Sequence, residues 1–329
     1  MGETQARPGT YRLVMPDKAM RIARSNPPAS GTRPVMLAIA GDSAAGKTTL
    51  TRGLVEAIGP DRCTALCVDD YHRYDRAERA NLPFTPVSPE CNYVDIMEQH
   101  LQLLATGQPI LKPVYDHSTG QLARPEYVEP KQFVIVEGLL PLTSKLSRAC
   151  FDVSVFLDPP EEIRRGWKVD RDCSKRGYSP EQVLAELERR EPESAAYIRP
   201  QRRYADIVVR FSPIATRNDP PGTPLSAELL LRPTIRHPTL NHVLSDEDHT
   251  TMHLKIIRDS DGTPVDCLHV HGHAGAEESR MLEKAIWADL ADRRDMPEGL
   301  GALPDGGRSE PLAMTQLILL YHLVQALQG

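Results

Sequence analysis

Eight consecutive residues, Gly41-Asp42-Ser43-Ala44-Ala45-Gly46-Lys47-Thr48, fit the spacing G-x-x-x-x-G-K-[ST] without exception. A loop of this kind turns backbone N–H groups toward phosphate oxygens, and the helix that follows adds the attraction of its positive N-terminus. Lys47 is placed to reach the β- and γ-phosphates of ATP, Thr48 to offer a hydroxyl to Mg²⁺, and Thr49 to complete the nucleotide contacts. Four specified positions arise by chance in roughly one chain per hundred of this length. An apolar run before the loop and a helical pattern after it argue against chance. The chemistry implied is movement of a phosphoryl group.

Phosphoryl transfer to a hydroxyl needs a group to take the proton. Asp69 and Asp70 follow an apolar run, and a carboxylate beside the γ-phosphate can serve as that base. An acidic turn or a helix cap is the ordinary explanation for such a pair. Here the expected sheet places the pair near Lys47, so a catalytic role is expected for the pair. Glu137 closes the run Phe133-Val134-Ile135-Val136 and precedes Gly138. That position suits Mg²⁺, directly or through water; a strand-ending Glu at a turn is the bland alternative.

Cations cluster in one segment of an otherwise acidic chain, whose formal net charge is −6. Asp158-Pro159-Pro160-Glu161-Glu162 opens a helix with proline and acids in its first turn, and Gly177 ends it. Between them Arg164, Lys168, Arg171, Asp172 and Lys175 recur every three or four residues and share one face, with Ile163 and Trp167 beside it. Solvation alone explains most charged faces. A concentration of cations in an acidic protein instead suggests a lid that meets transition-state charge. Ser179-Pro180-Glu181-Gln182 fits a capping box for the next helix, which ends at Arg189 and Arg190. Together with Arg73 and Arg76 these residues exceed what ATP alone requires. Guanidinium groups bind phosphate bidentately, so a phosphorylated acceptor is expected.

These groups need a scaffold that converges them. Val35–Ala40, Thr64–Val68, Phe133–Val136, Val153–Leu157 and Ile207–Phe211 read as buried strands. Helices alternate with them: one with Leu50, Leu54, Val55 and Ile58 on a face, stopped by Gly59 and Pro60, and one marked by Met97, Leu101 and Leu104 that ends near Gly107. The alternation predicts an α/β fold, a doubly wound and mostly parallel sheet of the P-loop type with helices on both faces. Ligands in such folds sit beyond the carboxyl ends of the strands, where Gly41, Asp69, Glu137 and Asp158 fall.

After Pro213 the texture changes, with a linker or long loop at 218–224. Strands follow at Leu225–Leu231, Met252–Ile257 and Cys267–His271, and helices at Glu277–Leu290 and Pro311–Leu327. The expected organisation is an N-terminal arm at 1–32, a kinase domain at 33–213 and an α+β part at 214–329, either a subdomain or an extension of the first sheet. The 329 residues, 40% hydrophobic and 26% charged, have the composition of a globular protein with ample core. The negative balance weighs against nucleic-acid and anionic-membrane partners. The most apolar stretch, Met314–Leu327, is broken by Gln316, His322 and Gln325 and reads as an amphipathic helix. Arg12, Arg21 and Arg24 leave a weak transit-peptide reading for the first residues. Six cysteines without short spacings fit reduced thiols and a cytoplasmic setting.

Longer segments carry a resemblance: Val68-Asp69-Asp70-Tyr71-His72-Arg73-Tyr74-Asp75-Arg76, Tyr115-Asp116-His117-Ser118-Thr119-Gly120, Val136-Glu137-Gly138-Leu139, Trp167-Lys168-Val169-Asp170-Arg171-Asp172 and Tyr197–Asp206. With the phosphate loop, the stretch from about Val35 to Pro213 resembles the phosphoribulokinase/uridine kinase family, in particular its plant and cyanobacterial branch. The resemblance implies that Asp69 deprotonates the C1 hydroxyl of ribulose 5-phosphate, giving ribulose 1,5-bisphosphate and ADP. It implies that His72 and Arg76 contact the sugar phosphate, with Tyr115 and His117 close to the acceptor. Lys168 would stabilise the transferring charge, Arg171 and Arg176 would grip the acceptor, Asp172 would support the site, and Glu137 would serve Mg²⁺. Arg189 and Arg190 match arginines of an allosterically regulated bacterial branch, and regulation stays open. A homodimer or larger assembly is implied too. Plant members carry a cysteine in the phosphate loop that pairs with one before the acid pair. Here Ala45 stands in the loop while Cys67 keeps the second position, so dithiol switching through the nucleotide site is expected to be absent.

Two other functions fit parts of the pattern. A uridine kinase-type enzyme would clamp an uncharged base, and Tyr71 and Tyr115 keep that reading open. A non-catalytic nucleotide sensor would be expected to lack Lys47, Asp69 or Glu137, and all three are present. His269, His271 and His273 would share one face of a strand, but with no compelling fourth ligand they read as a solvent- or partner-facing face rather than a metal site.

Overall fold

The computed structural model describes residues 33–214, 223–240, 244, 252–289, 296–303 and 306–328. The N-terminal arm and most of the 218–224 linker lie outside them. The strand β1 (Val35–Gly41) is buried at every residue, as its uninterrupted apolar run demands. It leads through the phosphate loop into α1 (Lys47–Ile58), which ends at Gly59 with φ 97°. β2 (Cys63–Cys67) follows, then a 3₁₀ turn (Val68–Tyr71), α2 (Arg76–Arg79) and α3 (Val94–Ala105). A hairpin of β3 (Ile110–Asp116) and β4 (Gln121–Val128) forms a separate two-stranded sheet. β5 (Phe133–Gly138), α4 (Lys145–Ala149), β6 (Val153–Leu157), α5 (Glu161–Arg176), α6 (Pro180–Glu193) and β7 (Ile207–Ser212) complete the alternating part.

The main sheet has eight strands in the order β2-β5-β1-β6-β7, then β8 (Ser226–Leu231), β10 (Pro264–Val270) and β9 (Met252–Arg258). The first five are parallel. β8, β10 and β9 join antiparallel, so residues beyond Pro213 add strands to the same sheet. The α/β class and the mostly parallel topology are those the periodicity implies. Pairing of Ala40 with Gly138, Gly41 with Leu157, and Cys67 with Glu137 aligns the strand ends. One face packs Leu37 and Ile39 against α1 and α8 (Glu310–Gln328), while the other packs Met36 and Val134 under α3. α7 (Ala276–Asp289) packs beside α8.

α8 corrects an expectation. It is not amphipathic: every residue from Glu310 to Val324 is buried. α1, α7 and the strands β1, β8 and β10 surround it, so it has no solvent face over that length. Most of its polar interruptions are met internally, although Gln316 Nε2 has no hydrogen-bond partner among the described residues. Thr315 Oγ1 donates to the Pro311 carbonyl at 2.7 Å, Gln316 Oε1 accepts from Gly301 N–H at 2.7 Å, and His322 Nε2 lies 3.1 Å from His237 Nδ1. No helix of the described residues is long and apolar enough to cross a membrane.

Candidate active site

The phosphate loop begins where β1 ends. Gly41 has φ 152°, and a Cβ there would meet the Leu157 carbonyl at 2.8 Å, so only glycine lets β1 and β6 converge at this point. Ala44 is left-handed at φ 65°, the one non-glycine residue so disposed among those described, and it curls the loop over the head of α1. The first intrahelical bond of α1 runs from Leu50 N–H to the Gly46 carbonyl at 3.1 Å; the N–H groups ahead of it are the helix donors available to an anion. Lys47 Nζ donates to the Gly41 and Asp42 carbonyls at 3.0 and 2.8 Å. Asp42 is itself held by Ser194 Oγ and faces Arg164 at 3.6 Å.

Thr48 Oγ1 donates to Glu137 Oε2 at 3.2 Å. Burial pushes the Glu137 carboxyl up, while Lys47 and Thr48 pull it down. A buried carboxylate beside a hydroxyl at the phosphate loop is a set of hard oxygen donors, and it fits Mg²⁺.

Beside the loop lies a cleft of about 360 Å³. Its walls bring together Ser43, Asp69, His72, Arg76, Tyr115 and His117 from the loops and hairpin with Lys168, Arg171, Asp172 and Arg176 of α5 and Arg189 and Arg190 of α6. Seven cationic side chains face three carboxylates there, once Arg79 and Glu186 are included. α5 reverses the usual amphipathic rule. Its charged residues Arg164, Lys168 and Asp172 are the buried ones, whereas Glu162, Gly166 and Asp170 face solvent. Its Arg164 donates to the Ser43 carbonyl at 3.0 Å, and Arg171 reaches Ser43 Oγ at 3.5 Å, so the cationic helix abuts the phosphate loop.

Asp172 organises this wall. It accepts from Lys168 Nζ at 2.8 Å and Arg171 Nε at 2.9 Å, with Arg176 at 3.4 Å. Burial alone would push its carboxyl up, but the bonds from Arg171 and Lys168 outweigh that and hold it at about 2. Lys168 is lowered to about 8, first by burial and then by Arg190, against the pull of Asp172. A lysine so poised, in a cleft with a defined partner, is the signature of a functional site.

Asp69 enters the cleft from the 3₁₀ turn after β2, where its Oδ1 accepts from Leu139 N–H at 3.3 Å. Gly138 makes room for that turn: a Cβ there would stand 2.1 Å from Val68 Cγ2 and 3.2 Å from Asp69 Oδ1. His72 is buried with Nδ1 2.7 Å from Asn92 Oδ1. Asn92 Nδ2 donates to the Pro86 and Ser88 carbonyls, which fixes Oδ1 as the acceptor and Nδ1 as the protonated nitrogen. Burial lowers His72 to about 4, so the neutral ring presents Nε2 as an acceptor. His117 is lowered as well, again chiefly by burial. Arg76 Nη2 donates to the His117 carbonyl at 2.7 Å.

Several expected residues lie elsewhere. Asp70 turns away to Lys112 and to Tyr115 N–H, and so holds the β3–β4 hairpin. Asp158 is engaged by Arg202 at 2.8 Å and Arg210 at 3.2 Å, which directs it toward β7 and the turn before it. Arg73 donates to the Asn92 carbonyl and stacks on Tyr93, and Lys175 is exposed at the far end of α5. In Tyr197–Asp206, Gln201 braces the Leu139 carbonyl and Leu142 N–H, and Asp206 holds Ser154. Sequence reasoning missed Arg79, whose guanidinium bonds the Tyr115 hydroxyl and lies 4.8 Å over its ring. Its position three residues after Arg76 is the signal that could have found it. Tyr178, Gln182 and Glu186 were missed as well.

A model of the Phosphoribulokinase / Uridine kinase family matches residues 36–216. The chain is 39% identical over 204 residues to the phosphoribulokinase of Synechocystis sp., covering 62% of this chain and 61% of the relative. It is 34% identical over 202 residues to the chloroplastic phosphoribulokinase of Mesembryanthemum crystallinum, covering 56% and 51%. The chain thus spans about half to three fifths of the length of these curated relatives. Among solved structures, phosphoribulokinase from Rhodobacter spheroides matches with a TM-score of 0.56 at 17% identity, over 78% of this chain and 98% of that one, a likeness of fold. By sequence and by the architecture of its phosphate loop, the chain belongs to the phosphoribulokinase/uridine kinase family.

Proposed function

We propose that the protein transfers the γ-phosphoryl group of ATP to the C1 hydroxyl of ribulose 5-phosphate. The observation that carries this reading is the cleft beside the phosphate loop, where Asp69 stands among seven cationic side chains. A nucleoside acceptor has no use for so many guanidinium groups, whereas a sugar phosphate does. The names of the relatives support the same acceptor. Tyr115, the aromatic that a nucleobase would use, already carries Arg79 on its ring.

In this reading the phosphate loop and Lys47 hold the β- and γ-phosphates, and Asp69 takes the proton from the attacking hydroxyl. Lys168, Arg171 and Arg176, ordered by Asp172, meet the charge that spreads over the transferring group. Arg76 and Arg79 hold the acceptor phosphate, and His72 accepts a hydrogen bond from an acceptor hydroxyl. Thr48 and Glu137 would hold Mg²⁺, which neutralises phosphate charge when bound. The six free cysteines suit a reducing cytoplasm. Assembly into a dimer or larger is part of the proposal: β9 lies at the sheet edge among the described strands, with Ile256 79% exposed.

ADP release with Mg²⁺-ATP and ribulose 5-phosphate, ribulose or uridine tests the reading. Ribulose 5-phosphate is expected to turn over, and ribulose to lose about 100-fold or more in kcat/KM, since each charged hydrogen bond to its phosphate contributes about 1.5–3 kcal/mol. Phosphorylation of uridine with ribulose 5-phosphate inert would overturn the acceptor.

A further inference from the structure

The β10–β9 edge of the sheet gathers imidazoles that the phosphoryl-transfer reading leaves unused. His253 on β9 and His269 on β10 are directly opposed cross-strand partners. His271 follows His269 by two residues, and the three rings converge: His269 and His271 stack at 4.6 Å between centroids, with His253 at 4.9 and 5.3 Å from them. One ring nitrogen from each lies within 4.8 Å of the others, and all three side chains are half-buried. His273, which the sequence spacing groups with His269 and His271, is exposed and does not belong to the cluster. Sequence spacing alone could not show His253, because it comes from the neighbouring strand and is remote in sequence.

Three clustered imidazoles cannot all carry protons at neutral pH. Neutral rings offer nitrogen lone pairs, the form in which histidine binds metal. Along the same row Glu228 on β8 pairs with His269 and adds favourable negative charge, while Lys255, two pairs further along β9 and opposite Cys267, opposes a cation. Three imidazoles with an open fourth position form a donor set of the zinc type, and they are poor ligands for Mg²⁺.

We propose that His253, His269 and His271 bind one Zn²⁺ ion. Zn–N bonds of about 2.0–2.1 Å in a tetrahedral site need nitrogens about 3.4 Å apart, so the rings, whose nitrogens lie within 4.8 Å of one another, would turn inward on binding. The ion would tie β9 to β10 at Met252 and Val270, the end of the hairpin remote from the 259–263 turn. Its role is to clamp the sheet edge, separate from the kinase cleft.

The test is Zn²⁺ titration of the tag-free full chain against a chromophoric chelator, without nucleotide, with the visible spectrum of the Co²⁺-substituted protein as a measure of geometry. One ion per chain is expected, with a tetrahedral Co²⁺ spectrum and a Tm that rises on adding Zn²⁺. His253→Gln should weaken binding by at least about 100-fold and abolish the Tm rise while leaving ADP release intact. His273→Gln should change neither. His271→Gln repeats the reading should His253→Gln fold poorly. Absence of stoichiometric binding, binding that survives the loss of His253 or His271, or equal loss in His273→Gln would each overturn the site. Failure of ribulose 5-phosphate as an acceptor would leave this result unaffected.

Discussion

Replacing Asp172 with Asn removes one negative charge from the centre of the cationic wall and keeps its volume. The carboxylate is buried and stands 2.8 Å from Lys168 Nζ. At that separation and an effective dielectric of 20, two unit charges attract by about 6 kcal/mol. Asn keeps a hydrogen bond and the arginines relax into the space, so we take about one third, roughly 2 kcal/mol, as lost, which lowers the lysine pKa by about 1.5. Lys168 already lies at about 8. In the variant it should titrate near about 6.5, so that at pH 7.5 its charged fraction falls from about three quarters to about one tenth. In the proposed mechanism the protonated ammonium is the active form, so the rate is expected to fall as pH rises through the lysine pKa. The assay is the pH profile of kcat/KM, which reports groups in the free enzyme. Asp172→Asn should move the alkaline limb down by about 1.5 pH units, with a roughly eightfold loss at pH 7.5 that is partly regained on acidification. An alkaline limb that does not move, or one that persists in Lys168→Met, would refute the reasoning.

Arg79→Met should raise the KM for ribulose 5-phosphate by about tenfold or more and leave the KM for ATP unchanged, because Arg79, which lines the cleft, holds the acceptor phosphate in the proposed mechanism; an equal effect on both substrates would contradict that role. Gly53→Ala, a change that stabilises most helix interiors by about 1 kcal/mol, should here lower Tm by several degrees, since its Cβ would stand 2.0 Å from Gln316 Nε2 of α8. Combining it with Gln316→Ala should recover most of the loss in a thermal melt. Mild oxidants should leave turnover unchanged, since burial together with Asp69 and Glu137 holds the Cys67 thiol well above its ordinary range and suppresses the reactive thiolate. Reversible inactivation that a Cys67→Ser variant escapes would show that a switch survives without the loop cysteine.

The parts of the fold that sequence reveals are those governed by local rules. Buried parallel strands are long apolar runs, and Phe133–Val136 is buried throughout. The phosphate loop is legible because each of its fixed positions answers a steric or ligand demand, as Gly41 does against Leu157. The β3–β4 hairpin was not legible because β4 is exposed along nearly its whole length and shows no alternation. Without a buried face a strand leaves no periodic trace. The polar residues of α8 suggest a solvent face to sequence alone, because their partners His237 and Gly301 are remote in sequence. The acid pair after β2 shows the same limit. Adjacent residues at a turn point in different directions, and only the presence of Lys112 on the hairpin decides that Asp70 is structural and Asp69 faces the cleft.

Asp69 as the base that serves the hydroxyl attacking ATP is the centre of the proposed mechanism. Steady-state kinetics of Asp69→Asn, with nucleotide affinity measured separately, tests this directly. The account predicts that kcat with ribulose 5-phosphate falls by about 100-fold or more while ATP binds within about twofold of the parent. A variant that turns over at close to the parent rate, or one whose loss is explained by failure to bind ATP, would contradict it.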